Sequence, residues 1–249
     1  MAAGLCSNVQ GQQNIRFDHL TVKNGLSQSG VTCIFQDHQG FMWFGTQDGL
    51  NRYDGYTFTV FKHDPSNPKS LDDNFISVIA EDKSGTLFVA TLNNPKSINR
   101  FDRRTETFTQ ELRDSVGLDG VPRSEVFSSY DEPSGIKWAR SSGGGITRTD
   151  PATGKKKEYK HNPANPGSLV DDRVFSVYGD HAGEIWIGTK GGLDRFDPAT
   201  ESFLHYKHDQ KDPSSLSDDW VWPIFEDRSG VLWVGTVRGG LNRLNRRTG

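Results

Sequence analysis

One pattern recurs five times along this 249-residue chain, and it constrains the fold more than any other feature. A glycine closes a turn at Gly40, Gly85, Gly135, Gly183 and Gly230, at spacings of 45, 50, 48 and 47 residues. Three residues on stands an aromatic: Trp43, Phe88, Trp138, Trp186 and Trp233. Small residues follow at Gly45, Ala90, Gly188 and Gly235, with Arg140 in the third copy. A turn then leads to an apolar residue (Leu50, Ile98, Ile146, Leu193, Leu241) and an arginine (Arg52, Arg100, Arg148, Arg195, Arg243). So many matched columns mark a repeat architecture, in which each unit is one supersecondary element.

Each unit holds four short strand signals. In the fourth copy the spacing predicts strands over Val174–Tyr178, Glu184–Thr189, Gly192–Phe196 and Ser202–Tyr206, separated by turn residues. Four strands in a unit of roughly 40–50 residues describe a propeller blade. The expectation is an all-β propeller of five four-stranded blades near residues 26–61, 71–112, 121–160, 169–206 and 216–249. The fifth copy stops before its fourth strand, and a strand at 15–21 carries the matching pattern. Phe17 and Leu20 sit where Phe58 and Phe61 sit in the first copy. The N-terminal strand is therefore expected to complete the last blade, so that two sheet edges are not left open. A piece of a larger, seven-bladed ring is the competing reading. Residues 1–13 read as a tail or the remnant of a secretory signal, without a basic start or a full apolar stretch. Leu5–Ser7 is only a faint lipoprotein-type box.

Composition narrows the function classes. A net charge of −3 and a pI near 6.2 give no electrostatic reason to expect nucleic acid. No apolar run is long enough to cross a membrane as a helix. Cys6 and Cys33 are the only cysteines, and the expectation is a free thiol at each. There is no metalloprotease, nucleophile-elbow, phosphate-loop or C-x-x-C pattern. His63, His161 and His208 recur in K-H-D or K-H-N, and His38 and His181 in D-H-x-G turns, so they read as frame. So do the five blade aromatics and the turn aspartates Asp37, Asp82, Asp180 and Asp227. No catalytic residue, cofactor or metal is expected.

The stretch Ile224–Thr236 with Gly239–Arg243 closely resembles the two-component regulator propeller repeat, as do Ile34–Tyr53 and Val177–Asp197. Phe17–Gln28 is similar to the usual opening of that sensor region. The resemblance implies the periplasmic sensor module of a bacterial hybrid histidine kinase, non-catalytic by itself. It also implies a glycan or oligosaccharide ligand and a homodimer in the full-length receptor. A lyase-like enzyme acting at the channel mouth and a protein-interaction scaffold are the alternatives. In either case the ligand candidates are loop positions where the copies disagree: Gln47, Asp48, Asn93, Asn94, Arg140, Lys190, Trp220, Trp222 and Arg238. Polar groups there would meet sugar hydroxyls, and the tryptophans would stack on C–H faces. The acidic pairs Asp72-Asp73, Asp171-Asp172 and Asp218-Asp219 repeat, so they read as loop-fixing groups.

Overall fold

The computed structural model describes residues 15–112 and 129–245. These form five four-stranded antiparallel sheets and one short 3-10 turn at Val22–Asn24. The chain opens with β1 (Asp18–Leu20) and then builds blade 1 from β2 (Val31–Gln36), β3 (Met42–Thr46), β4 (Gly49–Tyr53) and β5 (Phe58–Phe61). Blade 2 holds β6 (Ile76–Glu81), β7 (Leu87–Thr91), β8 (Ser97–Asp102) and β9 (Thr107–Leu112). Blade 3 holds β10 (Ser129–Asp131), β11 (Lys137–Arg140), β12 (Ile146–Thr149) and β13 (Lys156–Tyr159). Blade 4 holds β14 (Val174–Gly179), β15 (Ile185–Thr189), β16 (Leu193–Asp197) and β17 (Ser202–Tyr206). Blade 5 holds β18 (Val221–Glu226), β19 (Val231–Thr236) and β20 (Leu241–Asn245).

The N-terminal strand supplies the missing fourth strand. Blade 5 runs β18-β19-β20-β1, with Asp18 opposite Arg243 and Leu20 opposite Leu241. Phe61 stands opposite Leu50 in the same way in blade 1. Phe17 is buried in the joint between blades 4 and 5, and its amide donates to the Ser214 carbonyl at 2.8 Å. Phe108 and Phe203 make the corresponding bonds to Lys69 and Gly167, so the borrowed strand obeys the same rule as the native ones.

The conserved-looking columns become one device. The blade tryptophan donates its indole N–H back to the turn acid six residues earlier: Trp43 to Asp37 at 2.9 Å, Trp186 to Asp180 at 2.5 Å and Trp233 to Asp227 at 2.8 Å. Trp138 uses Glu132 at 2.6 Å. The same aspartates also accept turn amides, such as Phe41 N–H on Asp37 and Glu184 N–H on Asp180. Hydrogen bonds to a charged acceptor are the stronger kind, worth about 1.5–3 kcal/mol each. In blade 2 the aromatic is Phe88, which has no N–H, and Asp82 is left with Ser84 and Thr86.

The small column explains how blades approach. A methyl placed on Gly45 would come within 2.8 Å of Ile76 on the next blade. The same holds for Gly188 and Val221 at 2.9 Å, and for Gly235 and Val31 at 2.8 Å. Glycine at these sites lets the first strand of one blade lie directly on the second strand of its neighbour.

Apolar clusters seal four joints. Trp43 packs on Ile76, Ile79, Leu87 and Val89 of blade 2, and Trp138 packs among Val174, Val177 and Ile187 of blade 4. Trp186 packs among Val221, Ile224 and Leu232 of blade 5, and Trp233 among Val31, Ile34 and Met42 of blade 1. Among the described residues no such cluster joins blade 2 to blade 3. The described part of blade 3 brings little apolar surface to that joint. Where the sheet faces backwards, blades 1, 2, 4 and 5 carry Met42, Leu87, Ile185 and Leu232, all buried. Blade 3 has exposed Lys137. Phe58, Phe108 and Phe203 are likewise replaced by exposed Lys156, and Tyr53, Phe101 and Phe196 by Thr149. Cys33 is a free, buried thiol whose pKa is pushed up to about 12 by burial; Cys6 lies outside the described residues, as do the expected tail and the start of the third repeat.

Candidate functional site

The turns between second and third strands and the loops between blades lie at one end of the sheets, because backbone bonds tie them together. Within a blade, Gln47 N–H donates to Gly30, Leu92 to Phe75, Lys190 to Arg173 and Val237 to Trp220, all at 2.9–3.1 Å. Across joints, Gly49 donates to Asn74, Gly145 to Asp172 and Gly240 to Ser29. The recurring histidines fasten this end from outside. His63, His161 and His208 each set Nδ1 against a leucine carbonyl (Leu71, Leu169, Leu216) at 2.6–2.7 Å. Their own backbone amides donate to Asn74, Asp172 and Asp219 at 2.7 Å. These contacts make them frame.

The candidate ligand residues divide into two groups. Asp48 pairs with Lys62 at 2.6 Å. Asn93 and Asn94 donate to Asp73 and Asp72 at 3.0 and 2.9 Å, which fixes the loop of their own blade. Gln47 lies in the blade 1 turn, Arg140 ends β11 and Arg238 stands exposed in the blade 5 turn. These residues are spread over separate blades, and no contact joins them to one another.

Lys190, Trp220 and Trp222, by contrast, come together at the mouth of the blade 4–5 joint. Lys190 Nζ sits 4.8 Å from the centre of the Trp220 ring. Phe175 bridges the two tryptophans, 5.7 Å from Trp220 and 6.2 Å from Trp222. Phe175 and Trp222 occupy the irregular steps of β14 and β18, where pairing shifts between Val174 and Ser176 and between Val221 and Ile224. Such a bulge turns an additional side chain out of the sheet. Pro223, which has no N–H, fits in that unpaired step. In blades 1 and 2 the same step holds Thr32 and Ser77, whose hydroxyls donate to the Ile76 and Ala90 carbonyls. Among the described residues, aromatic side chains at this height stand in blades 4 and 5; the third repeat's counterpart, Phe127, lies outside the described residues. Trp220 Nε1 in this cluster, and Asp218 Oδ2 two residues earlier in the same loop, are buried without a hydrogen-bond partner.

Phe175 is the residue that sequence reasoning missed. Its signal was present: it stands eight residues before Gly183, as Trp222 stands eight before Gly230. Among the described residues no three His, Cys, Asp or Glu side chains gather as a metal site. The two histidines outside the recurring K-H motif and the turns are also held. His205 lies 2.6 Å from buried Asp194, and His19 contacts the Ser215 carbonyl.

A family model, described as the two-component regulator propeller, matches residues 25–48, 168–191 and 215–238. Three of the five blades carry two-component regulator propeller repeats. The matched segments are the inner strand pairs of blades 1, 4 and 5 with the loops that lead into them. A curated relative, histidine kinase P4 of Formosa agariphila, is 45% identical over 58 residues, which is 23% of this chain and 4% of the kinase. Among solved structures, the extracellular domain assigned to a hybrid two-component system of B. thetaiotaomicron matches 92% of this chain at 19% identity, with a TM-score of 0.56. A further structure from that organism, assigned to a one-component system, matches 92% at a TM-score of 0.55. This chain spans 39% of each of those two chains, and at 19% identity the likeness is one of fold. No helix among the described residues is long and apolar enough to cross a membrane.

Proposed function

We propose that this chain is sensor material: the ligand-binding propeller of an extracytoplasmic receptor in a bacterial two-component system. The propeller repeats and the likeness to extracellular receptor domains support the class. The Phe175–Trp220–Trp222 platform with Lys190 supports the site. Flat aromatic faces beside unpaired polar atoms suit a saccharide, whose C–H faces stack and whose hydroxyls both donate and accept. Lys190, over the Trp220 ring, would donate to a hydroxyl at the edge of the platform. The platform lies across a joint, so a bound ligand would resist any sliding of blade 4 against blade 5. A downstream part of the receptor can read that change, without catalysis in this chain.

Calorimetric titration against oligosaccharide digests tests the reading. Saturable heat with one glycan class, lost in Trp222→Ala, is the expected outcome. No heat with any glycan would reject it. Turnover abolished by a chelator would replace it with the lyase-like alternative.

A further inference from the structure

The arginine column has one member held more loosely than the rest, Arg100. Arg52 lies 5.8 Å from the Trp43 ring and reaches Glu106 on blade 2 at 2.8 Å. Arg148 and Arg195 lie over Trp138 and Trp186 at 5.8 and 5.9 Å, and Arg243 pairs with Asp18 at 3.0 Å. In blade 2 the ring is Phe88, and Arg100 stacks on no ring. Its nearest carboxylate, Glu111, is 3.8 Å away, and its side chain is 55% exposed against 19% for Arg52.

The neighbouring blade withholds the other partner. Glu106 and Glu201 hold the same turn position in blades 2 and 4, each with positive φ (54° and 51°). That backbone region disfavours a side chain at a cost of order 1–3 kcal/mol. Glu106 repays the strain by reaching Arg52, and Glu201 by reaching Lys157 of blade 3 at 2.5 Å. Blade 3 has Gly154 at this position (φ 70°), so no carboxylate extends toward Arg100.

A cavity of about 480 Å³ lies beside Arg100 on the outer part of blade 2. Arg100, Arg103, Arg104, Thr109, Thr86 and Asp102 line it. Arg103 is committed to Asp37 and Glu81, both at 2.7 Å. Asp102 accepts the Arg104 and Thr105 amides, which hold its carboxyl below the usual range. That leaves Arg100, only loosely paired with Glu111, and Arg104 and Thr109 as lining residues with donors to offer.

We infer that this cavity is an oxyanion site, in which Arg100 and Arg104 grip a carboxylate or a sulfate group. A planar guanidinium binds either one through two parallel N–H bonds. The site is distinct from the aromatic platform of blades 4 and 5, and stands or falls without it.

Titrating the chain with sodium sulfate and with sodium acetate, at ionic strength held constant with sodium chloride, tests the inference. Saturable binding of at least one is expected. Arg100→Gln and Arg104→Gln should each weaken it about tenfold, the loss of one charge-assisted bond. Glu111→Gln should leave it intact or tighten it. Both arginines are solvent-facing, so melting temperatures should not move. A response to sulfate alone identifies a tetrahedral ligand group, and one to acetate alone a planar one. No saturable binding, or equal binding by both arginine variants and the parent chain, overturns the inference.

Discussion

The joint between blades 4 and 5 and the joint between blades 2 and 3 are made by the same repeat, yet the described residues bring different side chains to them. At the first, Trp186 is fully buried against Val221, Ile224 and Leu232, its N–H is held by Asp180, and Phe17 closes the outer edge. At the second, Phe88 has no N–H to give, and among the described residues the facing sheet presents Lys137, Thr149 and Lys156. In repeat proteins stability divides into units and the interfaces between them. A repeat can therefore keep its outline while single joints lose their cohesion. The functional candidates lie where copies diverge: the aromatic platform at one joint, the loosely held Arg100 at the other.

The largest effect expected from breaking this contrast is on the tryptophan. Trp186→Ala should cost about 3–5 kcal/mol, as truncation of a buried aromatic does, whereas Phe88→Ala should cost less because its ring is smaller and no indole hydrogen bond is lost with it. Chemical denaturation of both variants measures this; equal costs would erase the distinction. Next comes the turn acid. Asp180→Ala removes the acceptor of an indole N–H and of two turn amides, and should cost about 2–3 kcal/mol. Asp82→Ala, which strands no indole, should cost about half of that or less.

A repair sharpens the comparison from the other side. Lys137→Leu with Lys156→Phe restores the residue types that the other blades bury, and should raise stability by about 2 kcal/mol through new apolar burial. A melting curve that does not move would mean that the two sheets never meet.

The smallest effect is a pH dependence peculiar to blade 4. Its third strand carries Asp194 where blades 1, 2 and 5 carry Asn51, Asn99 and Asn242. The bond to Asp194 raises the pKa of His205 above its ordinary value, and burial raises Asp194. Both shifts mean that the folded chain holds protons more tightly than the unfolded chain. The stabilisation from His205 is complete below its unfolded value near 6.5 and is lost as pH rises through the higher folded one. Asp194→Asn with His205→Gln copies the neutral Asn99 and Gln110 of blade 2. Stability of that variant, followed by denaturation from pH 6 to 9, should fall less with pH than the parent's.

The sheet order was legible because a period of about 47 residues fixes which strand follows which, and the borrowed strand because Phe17 and Leu20 keep the spacing of Phe58 and Phe61. The partner of each tryptophan was not, since a turn acid and an indole six residues apart meet only once the hairpin curls. Phe175 was overlooked because its column is mixed, Thr32 and Ser77 in the first two repeats but Phe127 and Trp222 in the third and fifth, and only the bulge shows that this column turns outward. The polar face of blade 3 is written in Lys137, Thr149 and Lys156, but its meaning depends on knowing which sheet face looks backwards. The contacts of Asn93 and Asn94 with their own acidic pair likewise appear only when the loops are folded together.

Amide hydrogen exchange resolved blade by blade tests the central claim, that one repeat frame makes joints of unequal strength. The account predicts slow exchange across blades 4, 5 and 1, with Asp18–Leu20 protected alongside β20, and faster exchange in β10–β12 and on the facing strands of blade 2. Equal protection of all five blades, or free exchange at Asp18–Leu20, would contradict it.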